Sequence, residues 1–250
     1  MKSKNTSWQK VSMWYGGIVG DKGHFFHQTL VIPNSLRLLE LKSFSTLLDV
    51  ACGQGVLARA IDKDIKYVGI DKASDLITEA KKRDKNPNHK YMVADATRDL
   101  PIKEKFDRAA IILALQNIKD PEKAISKVSN TLQRGARLLI VLNHPAFRIP
   151  RQSSWGEEKD TKLQFRRVNR YLSSLEIPIN AHPSKANSPI TWSYHHPIED
   201  YSKYLFESDC LIEKIEEWSS DKVSVGKKAK QENRARDEFP MFMAILAIKR

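Results

Sequence analysis

Cysteine is scarce in this 250-residue chain. It stands only at Cys52 and Cys210, and neither spacing suggests a metal site. Long apolar runs are missing as well. No stretch could span a bilayer, and the first residues, Met1-Lys2-Ser3-Lys4-Asn5-Thr6-Ser7, are polar and charged with no apolar segment behind them. The expectation is a cytoplasmic protein with no membrane partner. There is no internal repeat and no low-complexity tract. A concentrated basic tail is absent too, although the formal charge is +12. Lysines such as Lys81, Lys82, Lys227 and Lys228 read as solvated helix faces, and residues 176–220 are acidic on balance. A surplus this diffuse makes nucleic acid the less favoured partner.

What is present is an ordinary apolar fraction, 41%, in a chain long enough to bury a full core as one elaborated domain. Its most informative stretch is Leu47-Leu48-Asp49-Val50-Ala51-Cys52-Gly53-Gln54-Gly55, an apolar strand that meets an acid and breaks into a glycine turn. Glycines after a buried strand let backbone pass close to a ligand, because neither carries a Cβ. Cys52 reads as a small filler of that turn. The next residues, Val56 to Ile61, predict a helix packed on the sheet.

Alone, Gly53-x-Gly55-x-x-Ala58 also fits the relaxed dinucleotide fingerprint. The strands that follow add two more acids, the first of which fits NAD and S-adenosylmethionine equally. Tyr67 to Asp71 ends in a carboxylate suited to a ribose diol, and Tyr91 to Ala96 carries Asp95, suited to the exocyclic amine of an adenine. Each acid taken singly also reads as a helix N-cap. Phe106 to Leu113 predicts a fourth strand buried on both faces and Arg137 to Asn143 a fifth. Between them a helix is expected to start at Pro121 and end near Gly135.

On these residues the chain resembles the class I S-adenosylmethionine-dependent methyltransferases, whose first motif, acid-x-x-x-Gly-x-Gly, stands here as Asp49 to Gly55. The resemblance covers about Leu47 to Val141. It implies an α/β fold: a Rossmann-like, seven-stranded, mostly parallel sheet with an antiparallel last strand and helices on both faces. It also implies S-adenosylmethionine as cofactor, held by Tyr15, Asp49, Gly53, Gly55, Asp71, Lys72, Asp95, Ala96 and Leu115. A nicotinamide enzyme, the competing reading, rarely needs Asp49. Residues 1–46 are then a segment covering cofactor and substrate, 47–143 the cofactor-binding core, 144–196 a substrate-binding insertion or lid, and 197–250 a helix with the closing hairpin, about 211–218 and 241–248. The polar link Ser219 to Pro240 should include a short helix.

Three regions outside the common core are candidates for the acceptor pocket. Trp14 to His27 packs aromatics, glycines and histidines together, with Tyr15 and His27 expected to reach cofactor or substrate. Asn143 to Trp155 leaves strand five at the ligand edge. His144 is its candidate general base, or else a residue that holds the loop. Arg148, Arg151, Arg166, Arg167 and Arg170 could bind an anionic group or solvate a helix expected around Lys162 to Tyr171. Thr191 to His196 adds Trp192 and His195, and its histidine pair lacks the acids a metal would need. Substrate contacts are thus expected from His27, Arg148, Trp155, Trp192 and His195.

The motifs of adenine-amino and cytosine-carbon methylation are both missing; Ala114-Leu115-Gln116-Asn117 stands where the first would be. The resulting expectation is methyl transfer to an oxygen or nitrogen of a small molecule. An RNA methyltransferase and a non-catalytic cofactor-binding regulator are the alternatives.

Overall fold

The computed structural model describes residues 8–12, 20, 23–181 and 188–250. Seven strands build one sheet: β1 (Thr46–Val50), β2 (Lys66–Asp71), β3 (His89–Val93), β4 (Phe106–Ile112), β5 (Leu132–Asn143), β10 (Cys210–Trp218) and β11 (Phe242–Lys249). Their spatial order is β10-β11-β5-β4-β1-β2-β3. The pairs β5–β4–β1–β2–β3 are parallel, and β11 runs antiparallel to both its neighbours. This is the expected Rossmann-like sheet with its antiparallel last strand.

Period-two alternation sends side chains of the central strands to opposite faces. Leu48, Val50, Ile111 and Ile140 pack on one side with α3 (Pro121–Ser129) and α4 (Ile198–Glu207). Leu47, Ala110, Leu139 and Val141 pack on the other with α1 (Ile32–Leu39) and α2 (Ser74–Arg83). Leu138 to Leu142 are buried without a polar interruption, as a strand covered on both faces must be. No helix among the described residues is long and apolar enough to cross a membrane.

Three local expectations are corrected. After Gly55 there is a single 3-10 turn, Ala58–Ala60, in place of a helix. Ten residues separate Gly55 from β2, and ten residues of α-helix advance about 15 Å, less than the roughly 20 Å a six-residue strand spans, so a more extended link is needed. Helix α3 stops at Ser129, well before Gly135. Gly135, at φ +80, lies inside β5, where Phe106 pairs with Leu132 but Arg108 with Arg137, and the extra residues bulge outward. The basic stretch expected as a helix around Lys162 to Tyr171 instead holds a strand, β7 (Gln164–Val168).

The insertion folds as two hairpins, β6 (Ser153–Glu157) with β7 (Gln164–Val168), and β8 (Leu175–Asn180) with β9 (Ile190–His195). Aromatic Trp155 and Phe165, with Lys162 at φ 55 in the turn, favour strand over helix in the first hairpin, and β-branched Ile177, Ile179, Ile190 and Thr191 favour it in the second. The first hairpin packs toward α5 (Ala229–Glu238), the expected short helix of the closing link. The second packs on the turn after β4.

Candidate functional site

The ends of β4, β1, β2 and β3 open onto a trough of about 300 Å³. Its floor is the turn after β1, where Ala51 (φ 56), Gly53 (φ 56) and Gly55 (φ 75) all hold left-handed backbone. Glycine tolerates this; alanine does so at a cost. Leu113, at φ 51 after the adjacent β4, is a second strained residue, and both Ala51 and Leu113 line the trough. Such outliers cluster where a ligand must be met.

Asp71, at the end of β2, clamps that floor. The Gly53 N–H donates to its Oδ2 at 3.0 Å and the Ala73 N–H to its Oδ1 at 2.8 Å. The Lys72 N–H also bonds this carboxylate, and since a carboxylate offers about four acceptor positions, about one remains. The group is 9% exposed and lines the trough. Burial pushes its pKa up, against the pull of the N–H bonds. Asp95 takes Thr97 N and Oγ1 on Oδ1, at 3.0 and 2.8 Å, and the Lys72 ammonium 3.1 Å from Oδ2. Burial acts to raise this carboxyl, but the Thr97 and Lys72 bonds hold it below the usual range.

Asp49 behaves differently. It is 3% exposed, accepts the Tyr67 hydroxyl at 2.7 Å, and lies beneath the floor without lining the trough. Burial pushes its pKa up to about 7. Gly55 has its constraint behind it as well: a Cβ there would stand 2.7 Å from the Tyr91 hydroxyl, which donates to Asp84.

Of the other expected cofactor residues, Lys72 and Ala96 line the trough. Leu115 does not. It is fully buried in the core, because the 3-10 turn Leu115–Asn117 turns it inward and leaves Leu113, Ala114, Asn117 and Ile118 on the wall. Tyr15 lies outside the described residues. The wall also includes Trp8, which the sequence reading passed over; its turn, Trp8–Val11, docks on the head of α2 through Gln9, whose Oε1 accepts from Ser74 Oγ at 3.3 Å.

Beyond the ends of β5, β11 and β10, at the same sheet edge, lies a second cavity of about 520 Å³. Phe26, Phe147, Trp155 and Phe239 supply its aromatic lining, and Arg148, Arg166, Lys222 and Arg236 its cations. Arg148 and Trp155, two of the five expected substrate residues, both line this cavity. The other three expected substrate residues are elsewhere. His27 lines neither cavity; burial, with His24 beside it, pushes its imidazole down to about 4. His195 is 6% exposed, with Nε2 2.6 Å from the Tyr171 carbonyl. Trp192 sits on β9 opposite Pro178. The two hairpins diverge, so Thr191 to His196 does not share a wall with Trp155.

His144 is 1% exposed. The N–H groups of Ala146 and Phe147 donate to its Nδ1, at 3.1 and 3.3 Å, which fixes Nδ1 as acceptor and puts the proton on Nε2. That proton is donated to Glu217 at 2.6 Å. Burial lowers its pKa despite Glu217. With both nitrogens engaged, His144 holds the loop after β5 and presents no free base; this corrects its assignment as the catalytic residue.

Residues 48–140 match the model of a methyltransferase domain. The chain thus carries a methyltransferase domain over those residues, in keeping with its resemblance to the class I S-adenosylmethionine-dependent methyltransferases. It is 31% identical over 147 residues to a 2-phytyl-1,4-naphtoquinone methyltransferase of Nostoc punctiforme, covering 55% of this chain and 58% of the relative. It is 30% identical over 112 residues to a ubiquinone/menaquinone biosynthesis C-methyltransferase of Campylobacter jejuni, covering 41% and 46%. The chain spans about half the length of the curated relatives it matches. An S-adenosylmethionine-dependent methyltransferase from Mesorhizobium loti shares the fold, with TM-score 0.68 at 20% identity over 88% of this chain and 99% of that one.

The methyltransferase cofactor, S-adenosylmethionine, fits the trough on chemical grounds. The remaining acceptor position on Asp71 suits a ribose hydroxyl, Asp95 suits an amine, the apolar Leu76, Ala96 and Ile118 suit a flat ring, and Gly53 leaves backbone open to approach.

Proposed function

We propose that this chain transfers a methyl group from S-adenosylmethionine to an oxygen or nitrogen of a small molecule. The observation that carries this reading is the aromatic-lined cavity opening at the same sheet edge as the cofactor trough. When bound, the cofactor supplies an electrophilic methyl on a sulfonium. The trough's residues, Gly53, Asp71, Lys72, Asp95 and Ala96, hold and orient it. Phe26, Phe147, Trp155 and Phe239 exclude water and align the acceptor, and in-line displacement gains much of its rate from alignment and dryness. No strong base is required, in keeping with His144 serving the loop. The quinone names among the relatives support a small flat acceptor; one of them is a C-methyltransferase, so the target atom must be read from product.

Calorimetry with S-adenosylhomocysteine and with NAD tests the cofactor half. Binding of the first and none of the second is expected; tight NAD binding alone would reject the reading. Mass spectrometry of products from a phenol and amine screen tests the target atom, with methylation at ring carbon as the contrary result.

A further inference from the structure

The cavity beside the trough carries an imbalance of charge. Four cations line it, Arg148, Arg166, Lys222 and Arg236, against one carboxylate, Glu232, which already lies 3.6 Å from Arg236. Among the described residues the other three have no carboxylate at ion-pairing distance. Arg148 donates to Asn143 Oδ1 at 2.8 Å, and its guanidinium stands 5.1 Å from the Phe242 ring. Arg166 donates to the Phe147 carbonyl and to Ser153 Oγ, with its guanidinium 4.8 Å over Trp155. Lys222 lies 4.9 and 5.0 Å from the Phe25 and Phe26 rings. Neutral partners and ring faces hold these groups in place without cancelling their charge.

Arg148 and Arg166 are half-buried and Lys222 is exposed at the rim; partly desolvating two guanidinium groups without counter-charge is unfavourable, and a fold that needed only a packed wall would use apolar side chains there. The two arginines also act on each other: burial first, and then Arg166, lower the pKa of Arg148. A guanidinium on a ring face has its plane fixed and its remaining N–H donors directed, the geometry that suits a carboxylate. The Phe147, Trp155 and Phe239 rings, edge to face at 5.5 and 5.3 Å, form the apolar part of the same lining.

We propose that the methyl acceptor is an aromatic carboxylate, its anionic group held by Arg148, Arg166 and Lys222 and its ring system by Phe147, Trp155 and Phe239. This rests on the methyl-transfer reading and names its substrate class. One group of the acceptor is neutralised at the far end, and the group to be methylated is left toward the trough.

The test uses the whole chain saturated with S-adenosylhomocysteine and a panel of hydroxylated benzoates and naphthoates, each titrated beside its neutral carboxamide. At least one acid should bind ten-fold or more tightly than its amide. Arg166→Gln should erase that preference while leaving the affinity for S-adenosylhomocysteine unchanged. Lys222→Gln, at a more exposed position, should reduce the preference and guards against a folding defect in the first variant. Trp155→Ala should weaken acid and amide alike. If no acid binds, if acids and amides bind equally, or if both charge variants keep the preference, the proposal is overturned. Failure of S-adenosylhomocysteine to bind would instead overturn the methyl-transfer reading, and the same panel run without it would judge the anion site separately.

Discussion

The trough and the cavity share one edge of one sheet, yet they are built in opposite ways. The trough is made by backbone: strand ends in register, a turn in left-handed conformation, and carboxylates tied to neighbouring N–H groups. The cavity is made by side chains that converge from the segment before β1, the loop after β5, the β6–β7 hairpin and α5. A ligand met by backbone is specified by short motifs, and one met by side chains from four distant segments is specified by packing.

The sharpest way to break this division is Gly53→Val. The φ of 56 is unfavourable for a β-branched residue, so binding of S-adenosylhomocysteine should fall more than 100-fold, while the aromatic carboxylate panel still binds. Loss of both together would show that the two compartments form one unit. Asp71→Ala removes acceptors from the trough and releases the Gly53 N–H. A loss of about 1.5–3 kcal/mol in cofactor affinity is expected from calorimetry; an unchanged constant would make Asp71 a turn clamp only.

On the cavity side, His144→Ala should lower stability by about 1–3 kcal/mol, because it strands the N–H groups of Ala146 and Phe147. The pH profile of turnover should keep its shape. Burial depresses the folded pKa of His144, so the unfolded chain binds its proton more readily. The contribution of His144 to stability is therefore complete above the ordinary imidazole value and is lost as pH falls below about 6.5. Denaturant titrations at pH 5.5 and 8 should show a larger loss in the parent than in the variant, in which the depressed His27 and His195 still contribute theirs. The smallest effect expected is from Ala51→Gly, which relieves a left-handed alanine and should change stability by no more than about 1 kcal/mol, readable as a melting shift of a few degrees.

The same division explains how much could be read in advance. The parallel strands, the closing hairpin and the strand-end positions of Asp71 and Asp95 were legible, because strand periodicity and strand-end acids are local signals. Leu115 misled because its neighbours line the wall and one 3-10 turn decides which of them points inward. The helix expected after Gly55 failed on length: propensity favoured it, but the ten residues available could not span the strand as helix. His144 was ambiguous in sequence because a histidine at a strand end can serve loop or chemistry, and only the donors around its Nδ1 decide. Phe239 and Arg236 carried no local signal at all; they reach the cavity because α5 folds back against the β6–β7 hairpin. Trp8 had a weak signal, an aromatic in the segment before β1, which it shares with Trp14 and Tyr15 and which does not say which of them meets the trough.

The floor of the trough is held by the protein's own bonds, with Asp71 gripping Gly53 from one side and the Tyr91 ring backing Gly55 from the other. A surface already set before the ligand arrives has no loop to order on encounter. Cofactor association measured by stopped flow should therefore show an observed rate that climbs linearly with concentration and does not level off, since no rearrangement of the turn stands between collision and capture. Tyr91→Phe, which keeps the ring and removes its bond to Asp84, should leave that linearity intact. Tyr91→Ala, which removes the backing, should introduce a plateau.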